Sequence, residues 1–205
     1  MRFILAAALL ALVGQAAAAS AQPAPQPPAK KGDAPPPQAR IAQSGSLTPA
    51  AIADLKDPTG KTIGRAFFYE GPRGMLMRIE AGQLTAGWHG VHIHAKGLCE
   101  GPKFESAGGH YNPDGKSHGL LHPQGAEAGD LPSFFVEASG VGRTSLYTDL
   151  VSARGTGGRP ALLDADGSSV VIHAGPDDQS TQPSGGSGDR VACGVIMPAP
   201  VAPAR

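Results

Sequence analysis

Short runs of alternating apolar and polar residues, separated by turn residues, fill most of the chain after residue 44. In the segment MLMRIE (75–80), the first, third and fifth residues are apolar, and the fourth and sixth are charged. This two-residue period is typical of a β-strand with one buried face. The 3.6-residue period of an amphipathic helix is hard to find in the same region. The pattern therefore predicts an all-β domain.

The alternating and β-branched runs predict eight strands: Ala50–Lys56, Lys61–Glu70, Met75–Glu80, Gly87–His94, Ser133–Ala138, Thr144–Asp149, Ser169–His173 and Val191–Ile196. Many short strands at this spacing are typical of an antiparallel sandwich or barrel. Two stretches, 95–132 and 174–190, are rich in Gly, Pro and polar residues and carry almost no strand signal. Loops this long in a compact domain are usually functional or disordered, and the three histidines in the first of them favour function. We therefore predict a Greek-key β-sandwich or barrel, immunoglobulin-like, with two long functional loops.

Both ends of the chain lack the pattern of a folded domain. Residues 1–21 carry an early Arg2, an apolar run and small residues that offer Ala-x-Ala cleavage sites, which together predict a secretory signal peptide. The apolar run is too short to span a bilayer, so we expect no membrane association after cleavage. We expect residues 22–44 to be a Pro/Ala-rich linker, 45–198 the folded domain and 199–205 a disordered tail.

Charge and cysteine content narrow the function classes. The formal net charge is zero, and no basic run has the scale of a nucleic-acid footprint, so we expect no nucleic-acid partner. The chain has two cysteines, Cys99 and Cys193. In an exported protein such a pair suggests one disulfide that closes a long loop, and two buried free thiols are the alternative.

Seven histidines lie between residues 89 and 173. In the segment VHIH (91–94), the period of a strand puts His92 and His94 on one face and the two apolar residues on the other. The imidazoles can then chelate one ion while Val91 and Ile93 face the core. Taken alone, a His-x-His pair is more often the polar face of a surface strand than a metal site.

Further candidate ligands lie where strands end and loops begin. His173 ends a β-branched run, and His110, His118 and Asp130 lie in the first long loop among glycines. Such residues make a poor core but good ligands. Four imidazoles suit a tetragonal Cu²⁺, whereas histidines with an aspartate suit a tetrahedral Zn²⁺. The residues therefore predict two metal sites.

Five segments occur in order between about Ala50 and Ile196: GVHIHAKGLC, GGHYNP, HGLLHPQGAEAGDLP, VVIHAGPDD and SGDRVACGVI. In these segments the chain resembles the Cu/Zn superoxide dismutase family in its bacterial secreted form. The resemblance implies an enzyme that converts two superoxide anions and two protons to O₂ and H₂O₂, with copper alternating between Cu²⁺ and Cu⁺ and with Zn²⁺ as second metal. It also implies a periplasmic location, and it leaves the oligomeric state open, a homodimer included.

The resemblance also implies residue roles. It assigns four histidines to copper: His92, His94, His110 and His173. It assigns three residues to zinc, with one histidine shared: His110, His118 and Asp130. Asp177 matches a carboxylate that hydrogen-bonds one histidine of each metal, and Arg190 matches the arginine that draws the anion to copper. His110 is also expected to release and return a proton during turnover. Cys99 and Cys193 match the family disulfide.

One position departs from the family pattern. The zinc segment usually reads His-x7-His-x8-His-x2-Asp, and Glu127 stands where the third histidine is expected. Glu127 can ligate zinc, His122 or a water can complete the site instead, or zinc binding is weakened and Glu127 is simply solvated. The alternative function is a catalytically inactive periplasmic copper-binding or chaperone-like protein on the same fold. Arg190 favours the enzyme, because a storage protein does not need it.

Overall fold

The structure is a computed structural model that describes residues 48–200. The predicted signal peptide, the whole predicted linker, residues 45–47 of the predicted domain and residues 201–205 of the predicted tail lie outside the described residues. Within 48–200, no helix has the length and apolar character needed to cross a membrane.

The described residues form ten strands and two short 3₁₀ helices, which confirms the predicted all-β class. The strands are β1 (Ala51–Lys56), β2 (Thr62–Glu70), β3 (Met75–Ala81), β4 (Gly87–His89), β5 (Val91–His94), β6 (Phe134–Val136), β7 (Gly142–Thr148), β8 (Ser169–His173), β9 (Arg190–Val195) and β10 (Met197–Pro198). The 3₁₀ helices span Glu105–Ala107 and Thr156–Gly158 and lie in loops.

The strands form one antiparallel sheet in the order β4-β6-β7-β3-β2-β1-β9-β8-β5, with β10 paired to β1. The two outermost strands of this order, β4 and β5, are consecutive in the chain and are joined by Gly90. The sheet is therefore rolled into a nearly closed barrel. The fold class predicted from the sequence is confirmed.

Gly90 divides the single strand that was predicted over Gly87–His94. Its N–H donates to the carbonyl of Gly175, and its own carbonyl accepts from the N–H of His173. Residues before Gly90 pair with β6, whereas residues after it pair with β8. A Cβ at Gly90 would lie 3.0 Å from the Cβ of Ser187, so the close approach of the second long loop favours glycine here. The prediction of one continuous strand was wrong.

Alternation along the strands builds the core. In β3, Met75, Met77, Ile79 and Ala81 are buried while their neighbours are partly or fully exposed. Full burial of a Met or Ile side chain contributes roughly 1.5–3 kcal/mol to the stability of the fold. In β5 all four residues are buried, because Val91 and Ile93 join the core while the long loops cover the opposite face.

A disulfide joins Cys99, in the first long loop, to Cys193 in β9. It lies beside a small apolar cluster formed by Phe104, Ala107, Val171 and Cys193 itself. The predicted bridge is thus confirmed, and it fastens the loop to the barrel wall next to the histidine-bearing strands.

Candidate metal centre

Four imidazoles meet on the loop-covered face of β5 and β8. Their potential ligand atoms all lie within 4.8 Å of one another, and the residues are His92, His94, His110 and His173. The strands supply three of them, since antiparallel pairing sets His92 opposite Val171 and leaves His173 at the end of β8. All four are residues that the family resemblance assigned to copper, and the structure brings them together.

The first long loop supplies the rest of the site because it runs along the free edge of β5. The Ile93 N–H donates to the Gly129 carbonyl at 2.9 Å, and the Tyr111 N–H donates to the Ile93 carbonyl at 2.8 Å. A Cβ at Gly129 would clash with the Ile93 carbonyl oxygen, so this approach requires glycine. The pairing sets His110 beside His94 and Asp130 beside His92.

Three ring nitrogens in this group are buried and have no hydrogen-bond partner: His92 Nδ1, His94 Nε2 and His173 Nε2. The opposite nitrogens are all engaged. His94 Nδ1 donates to the Gly108 carbonyl at 3.0 Å, and His173 Nδ1 donates to the Gly188 carbonyl at 3.0 Å. These two bonds leave a free lone pair on Nε2 of His94 and on Nε2 of His173. A buried polar atom without a partner costs about 1–3 kcal/mol, so three converging lone pairs fit a metal ion.

Electrostatics keep these rings in the form that binds metal. Burial, with repulsion from neighbouring imidazoles and Arg190, lowers the pKa of His94 to about 2 and that of His173 to about 3. Burial also lowers the pKa of His92. Neutral imidazoles at neutral pH need lose no proton when they take up a metal ion.

A second group lies beside the first and contains carboxylates. His118 Nδ1 donates to Asp130 Oδ1 at 2.7 Å, and His110 Nδ1 lies 3.2 Å from the same oxygen. Ligand atoms of His92, His110, His118 and Asp130 fall within 4.8 Å of one another. Glu127 is outside that set, yet its Oε2 lies 2.8 Å from His110 Nδ1 and 3.6 Å from His118 Nδ1. Two imidazoles and two carboxylates thus face a common point, a donor set that suits Zn²⁺.

The metal-free form of the second group holds protons where a metal would bind. Burial opposes charge on His118, but its hydrogen bonds to Asp130, Asp177 and Glu127 prevail and raise its pKa to about 11. Burial likewise opposes charge on Asp130, yet its hydrogen bonds to His110 and His118 lower the pKa of that carboxyl. Metal uptake by this group must therefore release a proton from a ring nitrogen.

Asp177 connects the two groups. One of its oxygens accepts from His92 Nε2 at 2.6 Å, and the other accepts from His118 Nε2 at 3.1 Å. The N–H of Gln179 also donates to this carboxylate. One buried carboxylate thus orients one imidazole of each group.

Arg190 lies at the open side of the first group. Its Nη1 and Nη2 donate to the carbonyls of Phe104 and Gly108, both at 2.7 Å. It lines a cleft of about 440 Å³ together with His94, His110 and His173. Both acceptors are neutral carbonyls, so neither hydrogen bond cancels its positive charge, and the carboxylate of Glu105 acts on it only electrostatically.

Sequence reasoning missed two glutamine side chains that hold the loops together. Gln182 Oε1 accepts from the His118 N–H at 3.0 Å, and Gln182 Nε2 donates to the His118 carbonyl at 2.9 Å. Gln179 Nε2 donates to the Leu131 carbonyl. His122, the other histidine considered for the zinc site, accepts from the Gln124 N–H and belongs to neither group of potential ligands.

Comparisons with known proteins agree with this geometry. The family profile described as Copper/zinc superoxide dismutase (SODC) matches residues 62–196. A protein of Caulobacter vibrioides named "Superoxide dismutase [Cu-Zn]" is 51% identical over 148 residues, 72% of this chain and 85% of the relative. The crystal structure of a SOD-like protein from Bacillus subtilis is similar at a TM-score of 0.67 and 38% identity, covering 71% of this chain and 97% of that one. The Cu/Zn superoxide dismutase structure from Brucella abortus gives 0.58 and 31%, covering 72% and 99%.

Proposed function

Since this chain belongs to the copper/zinc superoxide dismutase family, we propose that its two groups of ligands are the copper and zinc sites of a working enzyme. The protein is a superoxide dismutase that converts two superoxide anions and two protons to O₂ and H₂O₂, with copper and zinc as cofactors. The observation that carries the site assignment is the set of three buried imidazole nitrogens without partners. An inactive copper-binding protein is not favoured.

Copper would be held by the unpartnered nitrogens of His92, His94 and His173 together with His110. Zinc would be held by His110, His118, Asp130 and Glu127. Bound copper would supply a one-electron acceptor and donor, which none of the ligand side chains offers, and bound zinc would add a fixed divalent positive charge. Glu127 is preferred to His122 because Glu127, unlike His122, directs an oxygen toward both His110 Nδ1 and His118 Nδ1.

His110 is the group that can move a proton. Its Nδ1 faces the two carboxylates, so the ring is held from the zinc side. Its Nε2 can hold a proton, and the ring lines the cleft where substrate arrives. H₂O₂ formation consumes two protons: His110 Nε2 would deliver one of them to the reduced substrate, and water in the open cleft would deliver the other.

Arg190 captures the anionic substrate. Its guanidinium stays charged at any relevant pH, and its two carbonyl contacts hold it at the mouth of the cleft. Steering of this kind raises association rates by about 10–1,000-fold and weakens with added salt.

The test of this role is Arg190→Glu, with Arg190→Lys as the matched control that keeps the charge. We expect Arg190→Glu to lower dismutation by about tenfold or more at low salt while copper content stays nearly intact, because no copper ligand changes. Arg190→Lys should keep most of the activity and of its salt dependence. Unchanged activity in Arg190→Glu would refute the steering role.

We also propose that the protein is exported to the periplasm, with residues 1–21 removed as a signal peptide. The support is the early cation followed by an apolar run, together with the Cys99–Cys193 disulfide, since such bonds persist in oxidising compartments. Recovery of a full-length, uncleaved chain from the cytoplasmic fraction would contradict export.

A further inference from the structure

The side chain of Asn112 lies between the zinc-side loop and Glu127. Its Nδ2 donates to Glu127 Oε1 at 2.9 Å and to the Lys116 carbonyl at 2.8 Å. Its Oδ1 accepts from the Lys116 N–H at 2.9 Å. Asn112 follows His110 by two residues and lines the same cleft.

These contacts leave the Asn112 amide one orientation. Both hydrogens of Nδ2 are used, and Oδ1 is engaged by a donor. Turning the amide by half a turn would set Nδ2 against the Lys116 N–H and Oδ1 against two oxygens. The Lys116 backbone therefore holds the amide with a donor directed at Glu127.

The consequence for Glu127 is that its two oxygens are not equivalent. Oε1 is tied to Asn112, and Oε2 is the oxygen that faces His110 Nδ1 at 2.8 Å. The Glu127 N–H donates to Asp130 Oδ2 at 2.9 Å, so the backbone end is held as well. A glutamate side chain loses rotamer freedom when it is fixed, and here part of that ordering precedes metal binding.

We infer that Asn112 is a positioning residue for the zinc site, which selects the oxygen that Glu127 offers to the metal and holds it in place. This inference rests on the proposed role of Glu127 as a zinc ligand. The positioning role of Asn112 requires a carboxylate at position 127. A histidine there would bind the metal through one ring nitrogen and carry a hydrogen on the other. That N–H would face the Asn112 N–H, so no hydrogen bond could form between them.

The test is a double-mutant cycle on the copper-loaded full chain, with zinc affinity measured by competition with a chromophoric chelator. The proteins are the parent, Asn112→Ala, Glu127→His and the double variant. We expect Asn112→Ala to weaken zinc binding by about tenfold or more in the parent, the effect typical of losing a partner of a metal ligand. In the Glu127→His background, Asn112→Ala should lower zinc affinity by no more than about twofold, which is the deviation expected for two sites that do not interact.

Asn112→Ala removes the contacts to Lys116 in both backgrounds. Any effect of a general loosening of the loop on zinc affinity is therefore the same in both and cancels in the comparison. Equal losses in the two backgrounds, or no loss in either, would overturn the inference. Co²⁺ bound in place of zinc gives a second readout: Asn112→Ala should change its visible absorption bands in the parent and leave them unchanged in Glu127→His. If Asn112→Ala fails to fold, Asn112→Asp keeps the acceptor for Lys116 but opposes Glu127 Oε1, and it should also weaken zinc binding.

Glu127→Ala separates this inference from its premise. Unchanged zinc affinity in Glu127→Ala would show that Glu127 is no ligand and would remove the basis of the inference. A loss in Glu127→Ala without a loss in Asn112→Ala would refute the positioning role alone. Dismutation by the copper-loaded parent reports on the enzyme assignment independently of both results.

Discussion

Removal of the Cys99–Cys193 bridge should destabilise the metal-free protein by an amount that follows from the loop it closes. The two cysteines are 94 residues apart in sequence. For a loop of this length, the chain-entropy treatment gives about 4.7 kcal/mol at 25 °C, because the cross-link restricts the unfolded chain. In a domain of this size that loss corresponds to a fall in Tm of about 10–20 °C.

Urea unfolding of the metal-free protein measures this quantity without a contribution from metal binding. Cys99→Ala and the double variant with Cys193→Ala should show nearly the same fall in unfolding free energy, because either change removes the whole cross-link. The reduced parent protein is a further control. A fall in unfolding free energy of less than about 1 kcal/mol would refute the entropic argument, since it would lie far below the value expected for closing a loop of this length.

Two further predictions concern the ligand groups. Asp177→Ala removes the carboxylate that holds His92 and His118, so copper and zinc should each bind about 10–100-fold more weakly. Chelator competition measures both affinities, and an unchanged affinity for either metal would contradict the shared role of Asp177. The metal-free protein should lose stability as pH falls below the ordinary histidine pKa of 6.5, because burial lowers the pKa of His94 to about 2 and of His173 to about 3. The unfolded chain then binds more protons than the folded one, so the urea midpoint should be clearly lower at about pH 4.5 than at about pH 7, and equal midpoints would refute this linkage.

The barrel was largely predictable because alternation is a local signal. The predicted strand Ser169–His173 has the observed bounds, and Met75–Glu80 differs from the observed strand by one residue. The division at Gly90 was not predictable from the pattern, because alternation does not identify the partner of each half of a strand. The strand Met197–Pro198 was also missed, since two residues that include a proline carry no strand period.

The ligand groups were predictable only in part from the residues themselves. The period of β5 places His92 and His94 together, but their meeting with His173 depends on the pairing of β5 with β8, which no local pattern reveals. The family resemblance supplied that association. Asn112 and Gln182 were missed because polar side chains in a loop rich in Gly and Pro are ordinary turn residues, and only the folded loop shows what they contact.

Superoxide dismutation should be measured on the purified protein loaded with copper alone and then with copper plus zinc, with metal content determined for each sample. We expect rapid turnover by the copper-plus-zinc protein, and turnover with copper alone would show that the Glu127-containing site is dispensable for catalysis. No turnover in either sample, with copper demonstrably bound, would contradict the enzyme and leave a copper-binding protein.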